Sequence, residues 1–357
     1  MSSVTGNKLK LSIFGESHGE AIGCVLDGLP AGLALDFEKI YLDMARRAPG
    51  KDKTATPRLE KDVPHILSGV LDGVTTGAPL AMMIENTNTR SADYSKTAQV
   101  PRPGHSDYPA YVKYSGHNDV RGGGHFSGRL TAPLVFAGAV AKQLLAQQGV
   151  TVGAHIRRIG SVCDMPFDKL KVNAATLNEL TDGRFSVLDR GAEAKMREEI
   201  ETYRAKQDSI GGEIECAAVG LPAGIGGNML DTLEGELAKL LFGIPAIKGV
   251  QFGLGFGFSE ACASQVNDEY EIRDGRVALL ANNNGGILGG ISTGAPLIVS
   301  VAVKPTPSIS QPQRSVNLAT MENETLTVQG RHDPCIVPRA VPAVEAAVAL
   351  VLADFMC

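Results

Sequence analysis

Four of the seven histidines stand in loops made of glycine or proline, beside arginine or aspartate. His18 lies in Gly15-Glu16-Ser17-His18-Gly19, and His105 in Arg102-Pro103-Gly104-His105-Ser106-Asp107. His125 follows Arg121-Gly122-Gly123-Gly124, and His332 sits in Gly330-Arg331-His332-Asp333-Pro334. An imidazole changes charge near neutral pH, so a loop that offers one to a ligand can give or take a proton there. Each of these histidines, taken singly, could equally cap a turn and bond only to backbone. Four in one kind of setting point to a shared site. His65, His117 and His155 lack that setting and read as structural.

Cations gather in the same loops, among them Arg46, Arg47, Lys51, Lys53, Arg102, Arg121, Arg129, Lys304, Arg331 and Arg339. A guanidinium holds carboxylate or phosphate through paired hydrogen bonds, so several together suit a small, multiply anionic substrate. A solvated surface is their other use, but here they stand next to Gly and Pro rather than on amphipathic helices. Lys304-Pro305-Thr306-Pro307-Ser308 adds a charge, a rigid turn and two hydroxyls, a set that suits a phosphate group. Two familiar nucleotide loops are missing. Asn282 to Gly290 is glycine-rich without the lysine of a P-loop, and Gly253-x-Gly255-x-Gly257 lacks a correctly placed third glycine. No His-x-x-x-His occurs, so no metal site is expected.

The elements that must position these loops can be read from the apolar pattern. Leu9 to Phe14 and Ala21 to Leu26 are strand-like and flank the His18 loop. Asp36 is a good N-cap for a helix to about Arg47, with Phe37, Ile40, Tyr41 and Met44 on one face and Pro49-Gly50 as its stop. Further helices are expected near 130–148, 189–207, 229–242 and 341–355. The second of these is polar and should face solvent, whereas 130–148 and 341–355 are apolar enough to be buried on most sides. Thr75-Thr76-Gly77-Ala78-Pro79-Leu80 recurs as Ser292-Thr293-Gly294-Ala295-Pro296-Leu297. In both places charged loops and then an apolar helix follow. The reading is one domain over residues 1–357, duplicated internally, with a site where the loops of two halves meet.

The totals agree with a globular enzyme. Forty-one glycines in 357 residues exceed the usual share, and glycine serves where backbone turns sharply or approaches a ligand. A net charge of −5 gives no reason to expect nucleic acid or a membrane surface as partner. The six scattered cysteines read as reduced thiols, mostly in the core. The polar N-terminus does not look like a signal peptide, and the apolar runs look too short or interrupted to span a bilayer. A cytoplasmic location is expected.

In order along the chain, the loops resemble those of the chorismate synthase family. The motifs are Gly15-Glu16-Ser17-His18-Gly19, Arg46-Arg47-x-Pro49-Gly50, Arg102 to Tyr108, Arg121-Gly122-Gly123-Gly124 and Asp208-Ser209-Ile210-Gly211-Gly212. Lys248-Gly249-Val250, Gly285 to Gly290, Lys304-Pro305-Thr306 and Gly330 to Cys335 complete them. The resemblance implies an α+β fold, a β-α-β sandwich of two similar halves with long helices between antiparallel sheets. It implies a carbon-oxygen lyase of aromatic amino acid biosynthesis that eliminates phosphate from 5-enolpyruvylshikimate 3-phosphate, 1,4-anti, to give chorismate. Reduced FMN is required, without net redox change.

By the same resemblance, His18 would protonate the departing phosphate, His105 the reduced flavin, and Asp333 would assist removal of the C6 proton. Flavin contacts would come from His125, Phe126, Ser127, Ala246, Gly289, Lys304, Pro305, Thr306, Pro307, Ser308 and Arg331. Substrate or dinucleotide phosphate would meet Arg47, Lys53, Arg102 and Arg129. One stretch departs from the family's pattern. Where Arg-Ser-Ser-Ala-Arg-Glu-Thr is usual after the glycines, this chain has His125-Phe126-Ser127-Gly128-Arg129-Leu130-Thr131, which predicts altered flavin binding. The resemblance further implies a homotetramer. The lack of an added dinucleotide domain suggests that NADPH acts only through a separate flavin reductase. A flavin oxidoreductase with net electron transfer, or an inactive binding paralogue, are the rival readings.

Overall fold

The computed structural model describes residues 3–50, 62–87, 99–181, 183, 185–328 and 333–357. Its first sheet contains β1 (Lys10–Gly15), β2 (Ala21–Asp27), β3 (His65–Ser68) and β4 (Leu80–Glu85), paired in the order β1-β2-β4-β3. Its second contains β5 (Thr151–Ile159), β6 (Gly212–Val219), β7 (Ile247–Phe252) and β8 (Leu297–Val303), paired in the order β5-β6-β8-β7. The two orders correspond strand for strand, and every pairing is antiparallel. Val4–Thr5 extends the first sheet beyond β1, and Val162–Cys163 the second beyond β5.

Helices α1 (Phe37–Arg47), α2 (Asp107–Lys113), α3 (Thr131–Gln147), α4 (Arg190–Ala205), α5 (Leu233–Gly243) and α6 (Val337–Met356) complete the main frame. Helices α3 and α6 pack on each other, α3 against the first sheet and α6 against the second. Both are apolar nearly all round, as helices enclosed on every side must be. They come closest at Gly138, where a Cβ would lie 2.2 Å from that of Ala346. The segment Gly128–Gln147 is, by length and composition, apolar enough to cross a membrane, contrary to the expectation from sequence. Here its apolar surface is covered by α6, α1 and the first sheet.

One charged cluster lies inside this apolar layer. Glu345 of α6 is fully buried and pairs with Arg46 of α1 at 2.8 Å and with Lys142 of α3 at 2.5 Å. Asp43 completes the set, 2.9 Å from each cation, and the Ala154 amide of β5 donates to Glu345. Burial alone would raise the Glu345 carboxyl, but Arg46 and Lys142 outweigh it and bring its pKa down to about 2. Breaking such a set from one side costs about 3–5 kcal/mol, because it leaves a buried charge unpaired.

The sequence echo extends to matching hydrogen bonds. Thr75 Oγ1 donates to Pro30 O at 2.6 Å and accepts from Leu33 N at 2.9 Å. Ser292 Oγ donates to Pro222 O at 2.6 Å and accepts from Ile225 N at 2.9 Å. The partners lie in Gly28-Leu29-Pro30-Ala31-Gly32-Leu33 and Gly220-Leu221-Pro222-Ala223-Gly224-Ile225, a second repeated pair of segments.

Several local expectations change. Tyr41 is exposed rather than on the buried face of α1, where Asp43, Arg46 and Arg47 are buried instead. The polar helix α4 still buries Ala192, Met196 and Ile200. Cys24, Cys216 and Cys335 are buried, but Cys163, Cys262 and Cys357 are exposed, so the thiols are not mostly core. His155 is structural in the sense expected: it is fully buried and meets Asp164 at 3.0 Å and Glu215 at 2.9 Å.

Candidate active site

The turn from β1 to β2 carries His18. Gly15 takes φ +94°, and a Cβ there would lie 2.4 Å from Ala21 O, so only glycine starts this turn without strain. Asn86 Nδ2 donates to Glu16 O and Gly19 O at 2.9 and 3.0 Å, closing the loop from behind. Ser17 N donates to Gly124 O at 3.2 Å, and Ser17 Oγ donates to Arg121 O at 3.2 Å. The hydroxyl has one proton, so it presents a lone pair to His18 Nδ1, 3.1 Å away.

Gly122, Gly123 and Gly124 all have positive φ, and the reason is steric. A Cβ on Gly122 would lie 2.3 Å from His18 Cε1 and Nδ1. One on Gly123 would lie 2.9 Å from His105 Cε1 and 3.1 Å from its Nε2. Two imidazoles from distant loops therefore rest on consecutive glycines, whose bare Cα atoms let the rings approach. The structure brings together the two histidines singled out for proton transfer.

His105 is held on its other side by a carboxylate. Asp107 Oδ1 is 2.6 Å from His105 Nδ1 and 2.8 Å from Arg102 Nη2, while Oδ2 accepts from Arg102 Nε at 2.7 Å. Burial would raise the Asp107 carboxyl, but the bonds from Arg102 and His105 outweigh it and hold it far below the usual carboxylate range. Arg102, expected to meet substrate phosphate, is buried and bound to Asp107.

The 304–308 loop of the second half packs beside this one. Lys304 Nζ donates to Gly104 O, and a Cβ on Gly104 would stand 3.3 Å from Pro307 Cβ. Lys304 N donates to Ala246 O at 2.9 Å, and Ala246 has φ +76°. Ser209 Oγ donates to Thr306 O at 2.7 Å, while the buried Thr306 hydroxyl has no partner among the described residues. Ser308 is buried. Gly289 turns a short hairpin between Ile287–Leu288 and Ile291–Ser292, with open space where a Cβ would be.

A third group joins the halves. Asp62, buried, accepts from Arg47 at 2.5 Å and also binds Arg129; these two arginines hold its carboxyl below its ordinary value despite burial. Arg47 also donates to Thr131 Oγ1 at 3.1 Å, and Arg129 to Asn86 Oδ1 at 3.1 Å. Arg339 donates to Arg47 O at 3.0 Å and pairs with Asp333, so Asp333 is tied to the same corner. Lys53, Arg331 and His332 lie outside the described residues, as does Lys51.

The unusual segment lies at the outer rim. His125 Nδ1 is 2.8 Å from Gly15 O, so the ring donates to that carbonyl. Phe126 is half-exposed, and its ring centroid lies 6.3 Å from that of Tyr114. Ser127 Oγ accepts from Arg129 N at 3.3 Å. Beside His125 an open depression of about 600 Å³ is bordered by Glu16, Gly19 and Glu20. Desolvation, then Asp119, raises the Glu16 carboxyl, while Arg121 is spent on Asp119 at 2.7 Å. Two carboxylates make this rim a poor seat for a polyanion. Among the described residues no cluster of three or more His, Cys, Asp or Glu side chains could hold a metal.

Asp62, Asp107 and Asn86 were not among the residues read from sequence. Only Asp107 carried a local signal, as a carboxylate two positions after a loop histidine. Asp62 and Asn86 reach their partners from far along the chain.

Residues 9–357 match the family model described as chorismate synthase. A chorismate synthase of Thermococcus kodakarensis is 47% identical over 351 residues, covering 98% of this chain and 96% of the relative. One from Dehalococcoides mccartyi is 45% identical over 354 residues, covering 99% and 96% respectively. A solved crystal structure of a chorismate synthase superposes with a TM-score of 0.73 at 29% identity, covering 99% of this chain and 92% of that one.

Proposed function

The chain belongs to the chorismate synthase family, and from that premise we propose that it eliminates phosphate from 5-enolpyruvylshikimate 3-phosphate to give chorismate, with reduced FMN as cofactor. The observation that carries the reading is the pair of imidazoles on Gly122 and Gly123, with Arg47, Arg129 and Arg339 gathered close by. The surroundings fit a flavin phosphate: the buried Thr306 hydroxyl lacks a partner among the described residues, Lys304 stands two positions before it, and Gly289 leaves open space. When bound, reduced FMN would lend electron density transiently to the substrate, so that the carbon–oxygen bond to phosphate breaks.

The chain's own groups would do the rest. His18, held by Ser17 at Nδ1, would as the imidazolium deliver a proton from Nε2 to the departing phosphate. His105, anchored through Nδ1, would as the imidazolium hold a second proton at Nε2 for the reduced flavin. Asp333, oriented by Arg339, would assist removal of the C6 proton. Arg47 and Arg129 would bind the anionic groups of the substrate, for which Asp62 now supplies the counter-charge. Lys53 and Arg331 belong to the same proposal by resemblance. His125 and Phe126 would border the flavin.

We further propose that the two corresponding sheets reflect an internal duplication within one domain, that the enzyme works in the cytoplasm as a homotetramer, and that NADPH reaches it through a separate flavin reductase. The test is anaerobic incubation with photoreduced FMN and 5-enolpyruvylshikimate 3-phosphate, following chorismate, phosphate and flavin absorbance. Chorismate and phosphate in equal amounts, with flavin still reduced, support the reading. Flavin oxidised in proportion to product, or no product, would overturn it.

A further inference from the structure

We propose that Asp107 is a positioning residue for His105: its carboxylate fixes the ring as the Nδ1–H tautomer and leaves Nε2 as the nitrogen that exchanges a proton. This rests on the role given to His105 above. Asp107 opens α2, with its side chain largely out of water. It receives four donors, namely Arg102 N at 3.0 Å, Arg102 Nε at 2.7 Å, Arg102 Nη2 at 2.8 Å and His105 Nδ1 at 2.6 Å. A carboxylate so surrounded has no proton of its own to give. A contact of 2.6 Å between it and Nδ1 therefore requires the proton to be on the ring nitrogen.

Two further observations bear on the same point. Arg102 Nη2 lies 3.3 Å from Nδ1, but as a donor it cannot bond to a nitrogen that already carries hydrogen. Its Nε and Nη2 donate to Asp107, so the arginine neutralises the carboxylate and fixes its plane. On the far side, the Cε1–Nε2 edge lies over Gly123, with Cε1 2.9 Å and Nε2 3.1 Å from where a Cβ would stand. The ring is thus gripped at Nδ1, so proton exchange falls to Nε2, and an imidazolium formed there is stabilised by the anion behind it.

The test uses the full chain labelled with [15N]histidine. The His105 signals are assigned by their loss in His105→Gln. In the wild-type protein at alkaline pH, Nδ1 is expected to be pyrrole-like and Nε2 pyridine-like. In Asp107→Asn the amide oxygen stays with Arg102 and the amide NH2 turns to the ring, so the pattern should reverse. Chorismate formation by this variant should fall by about 10²-fold, at the lower end of acid–base contributions, with KM for substrate unchanged. The loss should vanish when Asp107→Asn is added to His105→Ala. A pyridine-like Nδ1 in the wild type, or a tautomer unchanged in Asp107→Asn, overturns the proposal, as does an equal rate loss in the His105→Ala background. If His105→Ala keeps full activity while the tautomer behaves as stated, the catalytic role of His105 fails and the positioning stands.

Discussion

Gly122→Ala separates what the glycine run does for the backbone from what it does for His18. The added Cβ would meet His18 Cε1 and Nδ1 at 2.3 Å and Ser17 Oγ at 2.6 Å. Ordinary contact begins at 3.4 Å, so the ring must retreat by about 1 Å. A displacement of about 1 Å at a reacting group costs on the order of 10²-fold in rate. Alanine at φ +62° adds a backbone penalty of about 1–2 kcal/mol. Gly149→Ala supplies the control, because Gly149 has φ +79° and nothing within 4 Å of its Cβ position. Both variants should lose about 1–2 kcal/mol in urea unfolding, yet only Gly122→Ala should lose about 10²-fold in chorismate formation. Equal turnover in the two variants, with both folded, would refute the claim that Gly122 exists to seat His18.

Two predictions concern stability. Burial opposes the charged form of His155, but Asp164 and Glu215 outweigh it and raise its pKa above 6.5. A folded-state value above the unfolded one stabilises fully below pH 6.5 and less as pH rises through the raised value. The urea midpoint should therefore fall as pH climbs above 6.5, and His155→Gln should flatten that fall; an equally steep fall in the variant would count against it. Glu345→Gln leaves Arg46 and Lys142 short of their buried counter-charge and should cost about 3–5 kcal/mol in urea unfolding. A loss under about 1 kcal/mol would mean that the two cations find other partners.

The fold was largely legible where apolar periodicity is strong. Helices α1, α3, α4, α5 and α6 all fall where the pattern placed them, because each buries a face or a whole surface. Helix α2 was not expected: it has seven residues, with Tyr108, Tyr111 and Val112 exposed, so no apolar stripe marks it. Tyr41 misled because the buried face of Ile40 and Met44 is completed by charged residues, whose partners come from α3 and α6. At the site, sequence identified the loops but not what holds them. Glycines at 122 and 123 were visible as a run, whereas their reason, two imidazole rings from positions 18 and 105, exists only in three dimensions. Arg102 stood beside His105 in sequence as an expected anion binder, and the structure gives its guanidinium to Asp107.

In the proposed reaction, His18 and His105 act on protons around one bound substrate and flavin. Turnover of folded His18→Ala and His105→Ala with photoreduced FMN and 5-enolpyruvylshikimate 3-phosphate tests it directly. Each variant should form chorismate about 10²- to 10⁴-fold more slowly than the wild type. Near-normal rates in both, with intact far-ultraviolet circular dichroism, would contradict the account.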